Sequence, residues 1–103
     1  MMTHSQDFLW EHTEQVAQIY KLLSNPHRLM ILCVLIKHEE LCVGQLNQYI
    51  QLNASPLSQH LKILRDRHLV STRKQGQTVY YRVADSSICE LISLSHQLYC
   101  QQH

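Results

Sequence analysis

The chain has few of the residues that separate or link folded segments. Two glycines, two prolines and the absence of any low-complexity tract argue against linkers and disorder. No apolar run reaches 18 residues and no signal peptide is recognisable, so we expect a cytoplasmic protein with no membrane partner. The sequence has no Cys-x-x-Cys, no phosphate-binding loop and no nucleophile–base arrangement. It therefore predicts a protein that is not an enzyme and needs no cofactor, with a thiol-redox enzyme as the remotest alternative.

The length of the chain predicts a single domain over residues 1–103. A domain this small buries a modest share of its surface, so dimerisation would stabilise it. The four cysteines are not expected to form a disulfide framework in the cytoplasm. Metal binding, redox sensing and simple burial are the remaining interpretations of these thiols.

Charge is unevenly distributed along the chain, although the net charge is only +1. Residues 1–50 and residues 83–103 each carry a net charge of −2. Residues 51–82 carry six cations against one carboxylate, a net charge of +5. The six cations are Lys62, Arg65, Arg67, Arg73, Lys74 and Arg82. This concentration indicates a segment that contacts the phosphates of nucleic acid.

Residues 41–67 have the pattern of two helices separated by a tight break. The second helix, predicted over about residues 54–67, buries a stripe formed by Leu57, Leu61 and Leu64. Its opposite face carries Ser55, Ser58, Lys62 and Arg65, with Gln59 at the edge and His60 beside it. Such a helix suits a DNA groove lined with phosphates and base edges. An ordinary amphipathic surface helix would nevertheless show much the same pattern.

Two short alternating segments after this helix predict a β-hairpin over about residues 69–83, with residues 74–77 at its tip. This hairpin is the expected wing of a winged helix-turn-helix. Arg73, Lys74 and Gln77 are placed to contact backbone phosphates or the minor groove. The alternative is a small solvated hairpin without a DNA contact.

The remaining segments are predicted to be helical. Asn25 and Pro26 read as the N-cap and first residue of a buried helix, and Ser87 with Glu90 reads as a capping box. Helices over about residues 8–23 and 87–101 carry apolar stripes that predict a homodimer interface. The fold class is therefore mainly α with a small β-hairpin, in the order α-α-α-α-β-β-α. Two recognition helices in one dimer predict double-stranded DNA with an inverted repeat as the partner.

Several of these motifs resemble the ArsR/SmtB family of bacterial repressors, and the resemblance covers nearly the whole chain. They are the segment from Ser24 to Leu29, Leu57-Ser58-Gln59-His60-Leu61, and Thr78-Val79-Tyr80-Tyr81. The resemblance implies a homodimeric winged-helix repressor that an inducer releases from its operator. It also implies that Ser55, Ser58 and Gln59 occupy base-reading positions.

Cysteine positions within the family bear on the inducer. The metal-sensing Cys-Val-Cys with a following Asp is reduced here to Cys42-Val43-Gly44-Gln45, and Asp85-Ser86-Ser87 lacks the Asp-x-His of a second metal site. The chain is more similar to the persulfide-sensing, BigR/SqrR/HlyU-like branch, which has one cysteine late in the second helix and one late in the last. Cys33 and Cys100 match these positions. The resemblance thus implies reactive sulfur species as inducers, acting through these two redox-sensing thiols.

Chemical alternatives to this interpretation follow from the same residues. Cys33 lies among leucines and isoleucines, where a free cysteine is commonly an apolar core residue. His96, Cys100 and His103 follow one another at about one-turn spacing and, with Cys33, would suit a zinc-responsive repressor. Cys89 is too far along its helix from Cys100 to bridge to it. Cys42, at a helix N-terminus, is interpreted as a cap substitute, with thiol reactivity as the alternative.

Overall fold

The structure is a computed structural model that describes residues 2–100, with the side chains of residues 7–53 and 56–100. Within that range the protein has five helices and three short strands. The helices are α1 (Met2–Leu23), α2 (Pro26–His38), α3 (Val43–Tyr49), α4 (Ala54–Asp66) and α5 (Ser86–Tyr99). The strands are β1 (Leu41–Cys42), β2 (Val70–Gln75) and β3 (Thr78–Val83). The mainly helical winged helix-turn-helix architecture predicted from the sequence is confirmed.

The sheet contains one strand that the sequence analysis missed. β1 pairs antiparallel with β3, so the strand order is β1-β3-β2. Leu41 lies opposite Tyr81, and Cys42 lies opposite Tyr80. A strand of two residues is too short to show an alternating pattern, and it exists only because a distant strand supplies its hydrogen bonds.

The hairpin of β2 and β3 has a tighter turn than predicted. The residues predicted as its tip were 74–77, but Lys74 pairs with Val79 and Gln75 pairs with Thr78. The loop is therefore the two residues Gly76 and Gln77. Gly76 has a φ of 63°, and a glycine at the first loop position is typical of two-residue hairpin turns.

Hydrogen bonds to side chains cap the starts of α2, α3 and α5. Oδ1 of Asn25 accepts hydrogen bonds from the backbone N–H groups of His27 (3.0 Å) and Arg28 (3.1 Å), which confirms the predicted N-cap. The Cys42 N–H donates to Oε1 of Gln45 at 3.0 Å at the start of α3. The predicted cap at Ser87 was wrong. Asp85 is the N-cap of α5, because its carboxylate accepts the Ser87 N–H at 2.8 Å.

The core lies between α2, the helix-turn-helix and one face of α5. Its fully buried side chains are Ile31, Leu32, Leu35, Leu46, Leu57, Leu61 and Leu64. Ile88 and Ile92 of α5 close the core from one side, and Leu69 and Val70 close it from the sheet. The three leucines of α4 hold that helix on the body of the protein and turn its polar face outward.

Among the side chains that the structure describes, those of α1 that reach this core are Ile19, Leu22 and Leu23, at the C-terminal end of the helix. Most of the helix, from Asp7 onward, is exposed. No single helix within residues 2–100 is long and apolar enough to cross a membrane; Asp7–Leu23 and Pro26–His38 meet that test only as a pair bent by 89°.

Candidate DNA interface and thiol site

The polar face of α4, the predicted recognition helix, is exposed. Ser58, Gln59, Lys62 and Arg65 all lie on the solvent side of the helix. The side chain of Ser55 lies outside the described residues. Ser58 and Gln59 offer hydrogen-bonding groups near the start of α4, where a recognition helix meets base edges.

Lys62 has an internal partner on α4. Its ammonium lies 2.8 Å from the Asp66 carboxylate, and both side chains are largely exposed. This contact lowers the pKa of the Asp66 carboxyl below its ordinary value. An exposed pair of this kind contributes little to stability and is easily exchanged for another partner, so Lys62 can turn to a phosphate.

His60 differs from the other polar residues of α4. It is half-buried, and its ring centroid lies 5.8 Å from that of His27 on α2. Among the described residues, its buried Nδ1 has no hydrogen-bond partner. Burial lowers the pKa of the His60 imidazole, and the nearby Arg28 and His27 lower it further. His60 therefore packs against the start of α2 instead of lying on the face that carries Gln59.

The residues predicted for the wing fall into two groups. Lys74 and Gln77 are exposed at the end of the hairpin, where a wing meets the DNA backbone. Arg73, in contrast, is bound to the body of the protein. Its Nε and one Nη donate to the two oxygens of Glu40, each at 2.8 Å, and its other Nη donates to Gln75 at 2.8 Å.

Arg73 also stacks on an aromatic ring. Its guanidinium carbon lies 4.6 Å from the ring centre of Tyr80 on β3. The bidentate contact with Arg73 lowers the pKa of the Glu40 carboxyl. Glu40 and Tyr80 were missed as site residues because they are distant in sequence from each other and only the folded sheet brings them to Arg73. This arrangement ties the wing to the α2–β1 connection.

The thiol site lies at the other side of α2. Sγ of Cys33, on α2, is 3.7 Å from Nε2 of His96 on α5. That distance is within reach of a hydrogen bond to sulfur. The contact joins residues 63 positions apart in the chain. The sequence predicted Cys33 as a redox-sensing thiol and named His96 only as a ligand of the alternative zinc site.

Cys100 affects the Cys33 thiol electrostatically. Cys33 is half-buried, and burial raises the pKa of its thiol; negative charge on Cys100 raises it further. Cys100 ends α5 and is exposed, with its N–H donating to the carbonyl of His96 at 2.9 Å. The two thiols therefore belong to one corner of the fold, one half-buried and the other open to solvent.

A pocket of about 370 Å³ adjoins this corner between α2, α3 and α5. Cys33 and His96 both line it. Its walls are mostly apolar, with Met30, Ile36 and Ile92 among the lining residues, and Lys37 and His38 bring positive or titratable groups to it. Its size falls within the range of small-molecule sites.

The other candidate ligands and thiols are more dispersed. Among the side chains of residues 7–53 and 56–100, no three His, Cys, Asp or Glu are grouped closely enough to hold a metal ion. His103, which the zinc alternative requires, lies outside the described residues. Cys42 sits at the α3 N-cap and Cys89 is half-buried on α5.

Two helices expose large apolar side chains. On α1 these are Phe8, Leu9, Trp10, Val16 and Tyr20, and on α5 they are Leu94, Leu98 and Tyr99. Trp10 is 63% exposed, Leu98 64% and Tyr99 82%. Exposed apolar patches of this kind commonly mark a protein–protein contact.

A helix-turn-helix whose second helix presents amides, hydroxyls and cations, followed by a hairpin with a cationic end, defines the class of winged-helix DNA-binding regulators. The family described as bacterial regulatory protein, arsR family, matches residues 25–72. The transcriptional activator HlyU of Vibrio cholerae is 42% identical over 91 residues, which cover 88% of this chain and 83% of that protein.

Solved structures give the same result. The structure of reduced HlyU from Vibrio cholerae has a TM-score of 0.82 and 41% identity, and the match covers 90% of this chain and 97% of that one. The transcriptional repressor BigR from Xylella fastidiosa has a TM-score of 0.84 and 32% identity, with coverages of 94% and 98%. The chain belongs to the arsR family of bacterial regulatory proteins. It is a DNA-binding transcriptional regulator and not an enzyme, as the sequence predicted, and its resemblance to HlyU and BigR is confirmed.

Proposed function

We propose that the protein is a homodimeric repressor that binds an inverted-repeat operator and releases it when reactive sulfur species link Cys33 to Cys100. The observation that carries the sensing role is the position of both cysteines beside His96. Sγ of Cys33 lies 3.7 Å from Nε2 of His96, and the N–H of Cys100 donates to the His96 carbonyl. DNA binding by the family supports the rest of the proposal.

The operator contacts that we propose come from two elements. Ser55, Ser58 and Gln59 on α4 read base edges, while Lys62, Arg65, Lys74 and Gln77 contact the backbone. The exposure of the described members of this set supports the assignment. Arg73 and His60 act differently. Arg73 holds the wing through Glu40, and His60 holds the middle of α4 against the start of α2.

Dimerisation is proposed through α1 and α5. Their exposed aromatic and aliphatic side chains support this interface, because a second copy of the chain would remove them from water. A dimer with two-fold symmetry places two α4 helices about one helical turn of DNA apart, which suits an inverted repeat.

Linking the two cysteines would couple the thiol site to both of these surfaces. α2 packs on α4 in the core, while α5 carries part of the proposed dimer interface. A covalent bridge between α2 and α5 would therefore favour one relative arrangement of the two halves of the dimer. If that arrangement separates the α4 helices incorrectly, operator affinity falls by a population shift.

The bridge that we propose contains inserted sulfur atoms, which suit two cysteines that lie too far apart for a direct disulfide. A direct disulfide needs Cα atoms within about 7 Å, and each added sulfur extends the reach by about 2 Å. The donor is a polysulfide, which is itself the oxidant, so two thiols are consumed and two smaller thiols or hydrosulfide ions are released.

The test uses the reduced full-length protein and an operator selected from random DNA. We expect treatment with sodium tetrasulfide to lower operator affinity by roughly 5- to 150-fold, the usual range of allosteric coupling. After trypsin digestion, mass spectrometry should find the peptide 29–37, which contains Cys33, joined to the peptide 83–103, which contains Cys100. Fluorescence anisotropy measures the affinity on the same samples.

Cysteine variants separate the sensing pair from the other thiols. Cys33→Ser and Cys100→Ser should each bind DNA normally and lose the response, whereas Cys89→Ser should keep it. A joined peptide without any change in affinity would disprove the coupling, and an unchanged affinity without a joined peptide would disprove sulfur sensing altogether.

A further inference from the structure

The Cys33–His96 contact has a chemical consequence beyond marking the thiol site. Cys33 is half-buried, and burial is the largest cause that raises the pKa of its thiol. A thiol in this state carries little thiolate at neutral pH, and the thiolate is the nucleophile in sulfur exchange. Cys33 therefore needs a proton acceptor if it is to react as quickly as an exposed thiol.

Nε2 of His96 is placed for this role, at 3.7 Å from Sγ of Cys33. An imidazole exchanges protons near neutral pH, which makes histidine the usual general base in proteins. His96 is held on α5, and the carbonyl of the same residue accepts the N–H of Cys100 at 2.9 Å. His96 thus contacts the half-buried Cys33 thiol through its side chain. Through its carbonyl it contacts the backbone of Cys100, which carries the exposed thiol.

The pocket between α2, α3 and α5 supplies access to Cys33. Cys33 and His96 line the same pocket, whose volume of about 370 Å³ exceeds the volume of a short polysulfide chain. A donor in this pocket would meet Cys33 and His96 together. Cys100, in contrast, is exposed at the end of α5.

We propose that Cys33 attacks the sulfur donor first, from this pocket, with His96 accepting its proton, and that Cys100 completes the bridge. This inference rests on the proposed function and adds an order of attack and a role for His96. The donor class is a polysulfide RS–Sn–SR, in which R is hydrogen or an organic group.

The two steps balance in atoms and electrons. In the first, Sγ of Cys33 transfers its proton to Nε2 of His96 and attacks a sulfur of Sn; the bond to one terminal RS⁻ breaks, and RS⁻ leaves as RSH with the proton from His96. The product is Cys33–S–Sn–SR, in which the first sulfur is Sγ of Cys33. In the second step, the Cys100 thiolate attacks the other end of Sn and displaces the second RS⁻, which takes up the Cys100 proton. The polysulfide is reduced to two thiols as both cysteines are oxidised.

Other titratable groups face His96 and enter any pH profile. They are Cys33, Lys37 and His38 from α2, Tyr49 from α3, and Cys100 on α5 itself. The His38 ring stacks on Tyr49, with centroids 4.6 Å apart. Of these groups, Cys33 is the one whose contact with His96 carries the proposal, so the decisive variant changes His96 alone.

The experiment follows sulfur addition at each thiol of the reduced full-length protein. Sodium tetrasulfide is added in the presence of a metal chelator, the reaction is quenched by rapid alkylation, and peptides 29–37 and 83–103 are sequenced by mass spectrometry. Wild-type protein should carry its first added sulfur on Cys33. An organic trisulfide, used in parallel, tests whether the same order holds when R is not hydrogen.

The role of His96 is tested by His96→Gln, in a Cys100→Ser background that isolates the first step. We expect sulfur addition at Cys33 to slow by about 100-fold at neutral pH, the scale of general base catalysis. The rise in rate as an imidazole becomes neutral should also disappear, which a merely structural role would not cause. His68→Asn removes an exposed imidazole at the α4–β2 junction, where asparagine tolerates the φ of 65°, and should leave rate and pH profile unchanged.

The results separate this proposal from the function on which it rests. If wild-type protein forms the bridge but Cys100 gains sulfur first, the proposed order of attack is wrong while sulfur sensing stands. If His96→Gln matches its Cys100→Ser parent in rate and pH profile, the proposed role of His96 is wrong, and sulfur sensing again stands. If no bridge forms in wild-type protein, both fail. Should His96→Gln fold poorly, the order in which Cys33 and Cys100 gain sulfur in the wild type still decides the order of attack.

Discussion

Two regions of this protein differ in surface chemistry although they share one core. The segment over residues 51–82 carries a net charge of +5 and turns hydroxyls, amides and cations to solvent. α1 and α5 expose tryptophan, tyrosine and leucine, and the rest of the chain, outside residues 51–82, has a net negative charge. The first surface suits phosphates, and the second suits another apolar surface.

A signal can pass between the two regions through α2. α2 lies between them, packing its isoleucines and leucines on α4 while its Cys33 contacts His96 of α5. In the proposed dimer, the charged surface needs only correct spacing from the same surface of the second subunit, and the apolar surface determines that spacing. A modification at the α2–α5 contact can therefore change DNA affinity without touching a DNA contact.

The largest effect is expected where the apolar surface is disrupted. Leu98→Asp places a carboxylate on the exposed apolar face of α5 and should convert the proposed dimer to a monomer. Operator affinity should then fall by about 100-fold or more, because the second half-site is no longer bound in the same complex. Analytical ultracentrifugation and anisotropy measure the two quantities.

Gln97→Asp is the matched control, since it adds the same charge at an exposed polar position of the same helix. It should remain dimeric. A dimeric Leu98→Asp with wild-type affinity would remove α5 from the interface.

Within residues 51–82, the largest change in DNA binding from a single substitution is expected at Gln59. Gln59→Ala should relax sequence preference and lower discrimination between operator and mismatched operator by about 10-fold, the value of one good base contact. Competition anisotropy with operators altered one base pair at a time measures this. Gln97→Ala, on α5, should leave this discrimination unchanged. Equal discrimination by Gln59→Ala and Gln97→Ala would show that Gln59 does not read a base.

A smaller and different effect is expected at Lys74. Lys74→Ala should weaken binding to all sequences alike and reduce the slope of log affinity against log salt by about one unit per subunit, because one phosphate contact is lost. Lys21→Ala, an equal loss of charge on α1, should not change the slope. The reverse result would mean that the wing is not at the DNA.

Arg73 lies at the boundary between a DNA contact and an internal support. Its guanidinium is bound by Glu40 and Gln75 and stacks on Tyr80, so Arg73→Ala should change the salt slope less than Lys74→Ala does. Arg73→Ala and Glu40→Ala should lower the thermal midpoint to a similar small extent, and the double variant should fall no further than either. An additive double variant, or a full unit of slope lost with Arg73, would assign Arg73 to the phosphates.

The smallest expected effect is the pH dependence contributed by His60. Burial lowers the pKa of its imidazole in the folded protein, so the unfolded chain takes up a proton on His60 at higher pH than the folded one. The stability that His60 contributes is present above the ordinary imidazole value and is lost as pH falls from there through the lowered folded value. Chemical denaturation of wild type between about pH 7.5 and about pH 5 should show this loss, and His60→Gln should show a flatter profile. Parallel profiles would mean that other histidines cause the loss.

Local patterns anticipated most of the helices and their starts. The leucine spacing of α4 gave its buried stripe, and Asn25-Pro26 gave the start of α2, because periodicity and capping depend on neighbours in sequence. The cap of α5 was misplaced by two residues, since Ser87 and Asp85 are both acceptable caps and only the backbone decides between them. The two-residue strand β1 had no pattern of its own.

The features of the candidate site also divide into those that local sequence predicted and those that only the fold brought together. The amino-acid order alone determined that cations concentrate in residues 51–82, that Gln59 and Ser58 face away from buried leucines, and that two cysteines lie late in two apolar helices. Only the tertiary structure decided that Glu40 and Tyr80 hold Arg73, that His60 packs on α2, and that His96 lies at Cys33. These contacts join residues 7 to 63 positions apart, and no local pattern records a contact whose partners are brought together by the packing of the whole core.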